Sequence, residues 1–484
     1  MPNLPIFNAC FLGLGILLIS ASILKPIRGA GFPIFQLFMG ALSLRLGGGL
    51  LEDFINIWDE QFHALVAKHL AETPLTPRLY PEEVLPYSVE SWTNNYIWLH
   101  KQPLFLWQMA LSIKVFGNTV LGVRLPSILM SASMVYLIFG IGRRIFSKDA
   151  AFWGAFLFSV CYFPIQLNTG SIPTDHNDVA FVFYVACSIL AWLKYVEKPT
   201  LQRAIVVGLL AGAAILTKWL VGLSVYLIWG VWAIVSKNIT RSQIVNGLIS
   251  LVAACAVFVP WNLYIFSVFP QEAAHEMTYN SKHLWEALEG HSEPWYFHFS
   301  SAVKMYGVFG IVLFFLGDFK GLWSTIKARA LIGWMFFVFG LFTFAATKML
   351  AFTYVLSPVI FLIMGSGLKR VFTLNQKDRR WLVTAACLLI IVTYPNFLKL
   401  INSHGVDNEF RRVRYEVAEF AKDLHKNEND QGILVFNLPY QTHPILMFFS
   451  DAIGYDRALQ EEQLLWLESK GFQIIDYKKY PSKE

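Results

Sequence analysis

The chain has 484 residues, of which 55% are apolar or aromatic and only 15% are charged. An average soluble domain carries roughly 25% charged residues, and one soluble core could not absorb this much apolar side chain. Composition therefore excludes an ordinary soluble enzyme and points to a polytopic membrane protein; the net charge of +6 reads as basic cytoplasmic loops and not as a nucleic-acid surface.

The first apolar run, residues 7 to 24, has no basic region before it and no small-residue cleavage site after it, so it is expected to be a retained span. Further apolar runs lie at 32–49, 120–140, 150–166, 178–194, 204–216, 219–235, 245–265, 301–317, 330–346, 352–367 and 381–397, making twelve candidate spans. All five cysteines, Cys10, Cys161, Cys187, Cys255 and Cys387, fall within these runs without ligand-like spacing, which supports neither disulfides nor a zinc site.

Alternate connections carry the clustered basic residues: Lys25 and Arg28; Arg143, Arg144 and Lys148; Lys194, Lys198 and Arg203; Lys237 and Arg241; Lys320, Lys327 and Arg329; Lys369, Arg370, Lys377, Arg379 and Arg380. By the positive-inside rule these are cytoplasmic. The segments at 50–119 and 266–300, and the C-terminal tail, are then external.

Within the first external segment, WDEQFHALVAKHL reads as a helix that opens on Asp59 and Glu60, and WLHKQPLFLW places His100 and Lys101 just before Pro103. Carboxylates at a helix start also fit plain capping of unpaired amides. PLFLWQMALSIKVF, from Pro103 to Phe116, is too short for a comfortable span and contains Lys114; counting it would reverse all later connections, so it is expected to lie in the interface. Trp58, Trp92, Trp98 and Trp107 are expected to form an interfacial belt.

A second acidic position lies in TGSIPTDHNDVAFVF, where Asp175 occupies a short external turn with Asp178 at the start of the next span; His176 reads as a solvated turn residue. Lys218, Lys282, His283 and Lys348 are predicted to reach the same outer face. A lysine at the end of a span commonly snorkels, but ionisable groups gathered at membrane depth on one face are functional candidates.

After residue 397 charge returns. EFRRVRYEVAEFAKDL reads as an amphipathic helix, ILVFN as a strand, EEQLLWLESKG as a helix stopped by Gly471, and FQIIDY as a strand. The organisation expected is a transmembrane domain over 1–397 and a small extracytoplasmic α/β domain over 398–484, which lacks a phosphate loop or nucleophile elbow and is expected to bind or brace.

Seven blocks, WDEQFHALVAKHL, HKQPLFLWQMALSIKVFG, VRLPSILMSASMVYLIFGIGRRIF, TDHNDVAFVFY, GLLAGAAILTKWLVGL, EGHSEPWYFHF and TKMLAFTYVLSP, cover most of residues 50–367 in an order that resembles the C-type superfamily of polyprenyl-phosphate-sugar-dependent glycosyltransferases. The branch resembled includes protein O-mannosyltransferases and the lipid A aminoarabinose transferase. The resemblance implies a multi-span helical fold with its site in a cavity on the non-cytoplasmic face. It carries the family's acidic motif onto Asp59 and Glu60, its second aspartate onto Asp175 and its phosphate-binding lysine onto Lys101. The chain departs from the pattern where His100 replaces a glutamate before that lysine, and where Lys282 or His283 stands for an arginine in the later loop.

The implied reaction is an inverting transfer from an undecaprenyl phosphate sugar to a glycolipid, glycan or protein acceptor at the periplasmic face of a bacterial inner membrane. Asp59, Glu60 and Asp175 would be catalytic. Lys101, with Lys218, Lys282, His283 or Lys348, would hold the donor phosphate. A divalent metal has possible ligands in the carboxylates, yet Lys101 already supplies positive charge, so no metal or other cofactor is expected to be required. The competing classes are a secondary transporter or lipid flippase, which twelve spans would also suit, and a non-catalytic membrane assembly subunit.

Overall fold

A computed structural model describes residues 5–27, 31–172, 175–236, 239–372, 380–403, 409–427, 430 and 432–480. Arg28, Lys237, Lys377 and Arg379 of the basic connections lie outside these residues.

The helical part begins with α1 (Ile6–Ile27) and α2 (Ile34–Gly49), followed by α3 (Asp59–Glu72) and α4 (Pro103–Phe116) in the long first connection. Then come α5 (Val120–Ile145), α6 (Lys148–Val160), α7 (Tyr162–Gln166), α8 (His176–Glu197), α9 (Leu201–Lys218), α10 (Ser224–Ser236) and α11 (Arg241–Val268). After α12 (Pro270–Lys282) in the second long connection lie α13 (Phe297–Phe315), α14 (Phe319–Trp323), α15 (Ile326–Phe344), α16 (Ser357–Phe372), α17 (Arg380–Thr393) and α18 (Phe397–Ser403).

Nine helical stretches among the described residues are long and apolar enough to cross a membrane, and α6 with α7 makes a tenth that is bent by 53°. Two further expected runs have helical counterparts in the bundle. The 16-residue α2 is short but runs antiparallel to α1. The stretch Leu201–Ser236 reverses where Lys218 turns extended (φ −149°, ψ 52°) and Trp219 adopts φ 55°. Gly208 of α9 and Tyr226 of α10 flank this reversal, yet both meet Ser250 of α11. Each of the twelve expected apolar runs thus has a helical counterpart among the described residues, and nine or ten stretches meet the length and apolarity of a span.

Close helix crossings replace a water-driven core, as apolar side chains gain nothing by leaving lipid. At the α1–α2 contact a Cβ on Gly40 would press into Ile19, and at the α6–α16 contact Gly365 lies against the Gly154 backbone. Arg45 of α2, fully buried, braces three helices: it donates to Ser131 Oγ at 2.7 Å and to the Ser159 carbonyl at 3.2 Å, with its guanidinium 5.0 Å from the Phe158 ring.

The end of the bundle opposite the basic connections, here called the outer end, is roofed by α3, α4, α12 and the C-terminal domain. α4 packs against α3 and the helices of the bundle, with Gln108 donating to the Tyr184 hydroxyl of α8 and Trp107 5.3 Å from Trp261 of α11, and it leaves Leu111 and Val115 exposed. The tryptophan belt is corrected: Trp98 is buried and donates to the Trp92 carbonyl at 2.9 Å, while Trp92 stacks on His100 at 4.8 Å. Trp92 and Trp98 thus pack the first connection internally, whereas Trp58 is exposed, as are Trp285, Trp295 and Tyr296 of the second long connection.

The C-terminal domain comprises α19 (Glu409–Asn427), β1 (Ile433–Phe436), α20 (His443–Phe449), β2 (Ile453–Gly454), α21 (Glu461–Ser469) and β3 (Gln473–Asp476). Its parallel sheet has the order β2-β1-β3. The expected helices and strands are present, with Gly471 at φ 91° after α21; α20 and the two-residue β2 were not foreseen. The domain docks on α3, where Lys68 Nζ donates to the Met447 and Ser450 carbonyls at 2.8 and 2.6 Å and pairs with Asp451 at 3.0 Å.

Candidate active site at the outer end of the bundle

α3 begins immediately after Trp58, a non-glycine residue at φ 62°. This turn sends the two acidic residues in different directions. Glu60 points inward and is fully buried; Asp59 stays 23% exposed at the mouth of the site.

Glu60 is held on every side. Arg124 of α5 approaches it with Nε at 2.6 Å and Nη2 at 2.9 Å, His176 Nε2 lies 3.0 Å away, and the Asn56 amide donates at 2.5 Å. Arg124 also donates to the Gly49 carbonyl at 2.8 Å and reaches Glu52 at 3.3 Å. Gly170, at φ 64°, is required here twice over: its conformation favours glycine, and a Cβ would overlap the Glu60 carboxylate. Burial opposes ionisation of Glu60, but Arg124 and His176 outweigh it and hold the carboxyl down at about 2. Both carboxylate oxygens of Glu60 are thus taken up by protein donors.

His176 is not a solvated turn residue. It is 2% exposed and bridges Glu60 to Ser127 Oγ, which is 2.7 Å from Nδ1. Its neighbour Asp175 caps α8 by accepting from the Asn177 amide at 3.3 Å, and it meets His63 Nδ1 of α3 at 3.2 Å. Burial would raise the Asp175 carboxyl, yet His63, His176 and the Asn177 amide bring it well below the usual range.

The accessible tier lies beside this buried one. Lys101, 24% exposed, places Nζ 3.9 Å from Asp59 Oδ1. Burial would lower its ammonium, but Asp59, then Glu289, Asp175 and Asp178, outweigh that effect and raise it above the ordinary lysine value. Lys218 forms an ion pair with Asp178 and lies 5.6 Å from the Phe352 ring centroid.

Lys348 is 8% exposed and donates to the Ala345 carbonyl at 2.8 Å, with no carboxylate in ion-pair range among the described residues. The loop after α12 is strapped to its segment: the Thr347 and Lys348 amides donate to the His283 and His291 carbonyls at 3.1 and 3.2 Å. On that loop burial lowers the His283 ring. Glu289, at φ 54°, accepts from Tyr279 at 2.8 Å; burial would raise its carboxyl, but His100, Lys101, Tyr279 and His283 hold it low. Lys282 turns outward to Glu286, 3.9 Å away. The structure therefore gathers Asp59, Asp175, Lys101 and Lys218 around the outer ends of α3, α4, α8 and α9, with His283 and Glu289 facing Lys101 electrostatically; Lys282 stands apart.

Arg124, His63, His176, Asn56 and Glu289 were missed in the sequence. Arg124 had a signal, a charge inside an apolar run; the others are polar residues in loops, on α3 or at the start of α8 whose partners are distant in sequence. Asp59, His63 and Asp175 each offer one ligand atom, all within 4.8 Å of one another, a donor set that suits a hard or borderline divalent cation.

A family profile described as dolichyl-phosphate-mannose-protein mannosyltransferase matches residues 100–264. An undecaprenyl phosphate-alpha-4-amino-4-deoxy-L-arabinose arabinosyl transferase of Pseudomonas fluorescens (strain Pf0-1) is 24% identical over 213 residues, covering 42% of this chain and 38% of the relative. The chain thus spans less than half the length of this curated relative in alignment. In three dimensions the agreement is wider. ArnT from Cupriavidus metallidurans bound to undecaprenyl phosphate superimposes with a TM-score of 0.63 at 14% identity, covering 92% of this chain and 89% of that one. The oligosaccharyltransferase AglB from Archaeoglobus fulgidus, in complex with an inhibitory peptide and a dolichol-phosphate, gives 0.57 at 11% identity over 87% of this chain and 64% of that one.

The protein is a multi-pass helical membrane protein with the fold of the C-type glycosyltransferases. Within that fold its sequence matches fall in the branch of protein mannosyltransferases and aminoarabinose transferases.

Proposed function

We propose that the protein is an inverting glycosyltransferase that takes one sugar from a polyprenyl phosphate, undecaprenyl phosphate in a bacterium, and transfers it at the periplasmic face of the inner membrane. The observation that carries this reading is the accessible Asp59–Lys101 pair, 3.9 Å apart, on a buried frame at the outer end of the bundle. The fold similarity to a protein bound to undecaprenyl phosphate supports the donor class.

In this reaction the acceptor oxygen attacks the anomeric carbon as the bond from that carbon to the phosphate oxygen breaks. The polyprenyl phosphate leaves with the bonding electron pair. Lys101 and Lys348, with Lys218 released from Asp178, meet the leaving phosphate in a partly dry site where such charge contacts are strongest. The acceptor proton passes to Asp59, the exposed carboxylate, while Glu60 and Asp175 fix its position from below. If the acceptor is a phosphate, as on a glycolipid, it arrives already ionised, and Asp59 then orients the sugar.

Lys101 provides the cation beside Asp59, so the reaction is proposed to run without a metal. The acceptor class proposed is a glycolipid or other envelope glycan, because the C-terminal domain is small and turns its α20 onto α3. The test is transfer by purified protein in lipid from a polyprenyl-phosphate sugar, compared with Asp59→Asn. Wild-type turnover by that variant would refute the assignment of Asp59, and vesicle transport without any glycosidic product would refute the reaction class.

A further inference from the structure

The Glu52–Arg124–Glu60 cluster has two buried carboxylates but a single arginine from the membrane domain. Its second guanidinium comes from the C-terminal domain. Arg411, in the first turn of α19, forms an ion pair with Glu52, lies 5.4 Å from the Phe54 ring centroid and places Nη1 3.5 Å from Asn56 Oδ1. Arg411 is 13% exposed and Glu52 is 1%. A helix start is an unfavourable place for a cation, since the dipole there is positive; the contact with Glu52 compensates for it.

Asn56 joins the contact to the site. Its side-chain amide donates to Glu52 at 2.6 Å and to the Thr169 carbonyl at 2.9 Å, and its backbone amide donates to Glu60 at 2.5 Å. Between Asn56 and Asp59 lies Trp58 in its left-handed conformation. Such a conformation costs on the order of 1–3 kcal/mol and persists only where its surroundings over-determine it. Glu52, Asn56 and Glu60 are those surroundings, and Arg411 neutralises the first.

We infer that Arg411 is a positioning residue through which the C-terminal domain sets the geometry of the membrane site: by neutralising Glu52 it locks the segment 52–58 and so holds Asp59 against Lys101. This rests on reading Asp59 as a site carboxylate, and it assigns the domain a role in the transfer reaction that is neither substrate binding nor proton transfer.

The experiment uses full-length protein in lipid nanodiscs, with hydrogen exchange of peptides covering residues 52–62 and donor-dependent turnover measured on the same samples. Arg411→Gln is expected to speed exchange in those peptides and to lower kcat by roughly tenfold or more with donor KM within about twofold, as a misplaced but occupied site behaves. Arg411→Lys should restore both. Glu52→Gln combined with Arg411→Gln should recover most of the kcat lost by Arg411→Gln alone, because the buried charge is removed with its partner.

Wild-type exchange in Arg411→Gln overturns the inference, as does a double variant no better than the single one, or a loss of turnover in step with loss of folded protein. If wild-type protein transfers no sugar, the proposed function fails by itself, and exchange in Arg411→Gln against Arg411→Lys still decides whether the lock exists.

Discussion

Replacing Glu60 by Gln keeps the size and acceptor oxygen of the side chain and removes only its charge. Arg124 would then retain Glu52, but two of its close contacts, now 2.6 and 2.9 Å, would lose their ionic character in a site with no access to water. Leaving one member of a buried pair uncompensated costs roughly 3–5 kcal/mol. The depression of the carboxyl from 4.5 to about 2, at about 1.4 kcal/mol per unit, corresponds to about 3 kcal/mol. Because the folded value lies below the unfolded one, this stabilisation is fully present above about pH 4.5 and is lost as pH falls through about 2. Glu60→Gln should therefore lower the apparent melting temperature in nanodiscs by several degrees at pH 7. It should also show a shallower loss on acidification from pH 5 to 3, which tryptophan fluorescence during heating would follow. Wild-type stability at pH 7, or an acid limb identical to wild type, would refute the view that Glu60 is a charged frame residue.

Asp59→Asn and Asp175→Asn should each reduce transfer in reconstituted protein by roughly 10²-fold or more; near-wild-type turnover in both would remove the carboxylates from the mechanism. Lys101→Met should raise the donor KM with a smaller effect on folded stability, and an unchanged donor KM would place the phosphate elsewhere. Since Asp59 is the leading carboxylate raising the Lys101 ammonium and burial lowers it, Asp59→Asn should shift the alkaline limb of donor binding to lower pH, as measured by donor titration across pH 8 to 11. EDTA should leave turnover intact, and activity abolished by chelation and restored by magnesium or manganese would assign a cation to Asp59, His63 and Asp175.

The bundle was legible because its signals are local. Apolar runs gave the helices of the bundle, and the 14 residues of α4 mark it as shorter than a span needs. The reversal at Lys218 and Trp219 was visible as two short runs meeting at a lysine. In the site, sequence placed Asp59 and Glu60 at the start of α3 and Asp175 at the cap of α8, since carboxylates favour such positions. It did not separate Glu60 from Asp59, because which of two adjacent residues faces inward depends on Trp58 at φ 62°, a backbone choice no periodicity reveals. His176 was misread for a related reason: its partners Glu60 and Ser127 come from α3 and α5. The short α20 and β2 carried too few residues to show a period, though α20 is the element that seats the C-terminal domain.

The two acidic motifs are coupled through the residue that follows each of them. Glu60 follows Asp59, His176 follows Asp175, and these two followers are hydrogen-bonded to each other at 3.0 Å. Together with the His63–Asp175 contact at 3.2 Å, this bond fixes the start of α3 against the start of α8, so Asp59 and Asp175 need not attract one another. The ligand atoms of Asp59 and Asp175 lie within 4.8 Å of one another, and two carboxylates this close would repel if left to flexible loops. His63 and Lys101 offset that repulsion, one on each carboxylate, while Arg124 pays the cost of burying Glu60. Opposed charges are thereby held on a rigid frame, which is the condition a site must meet to act on a phosphate leaving group without reorganising at each turnover.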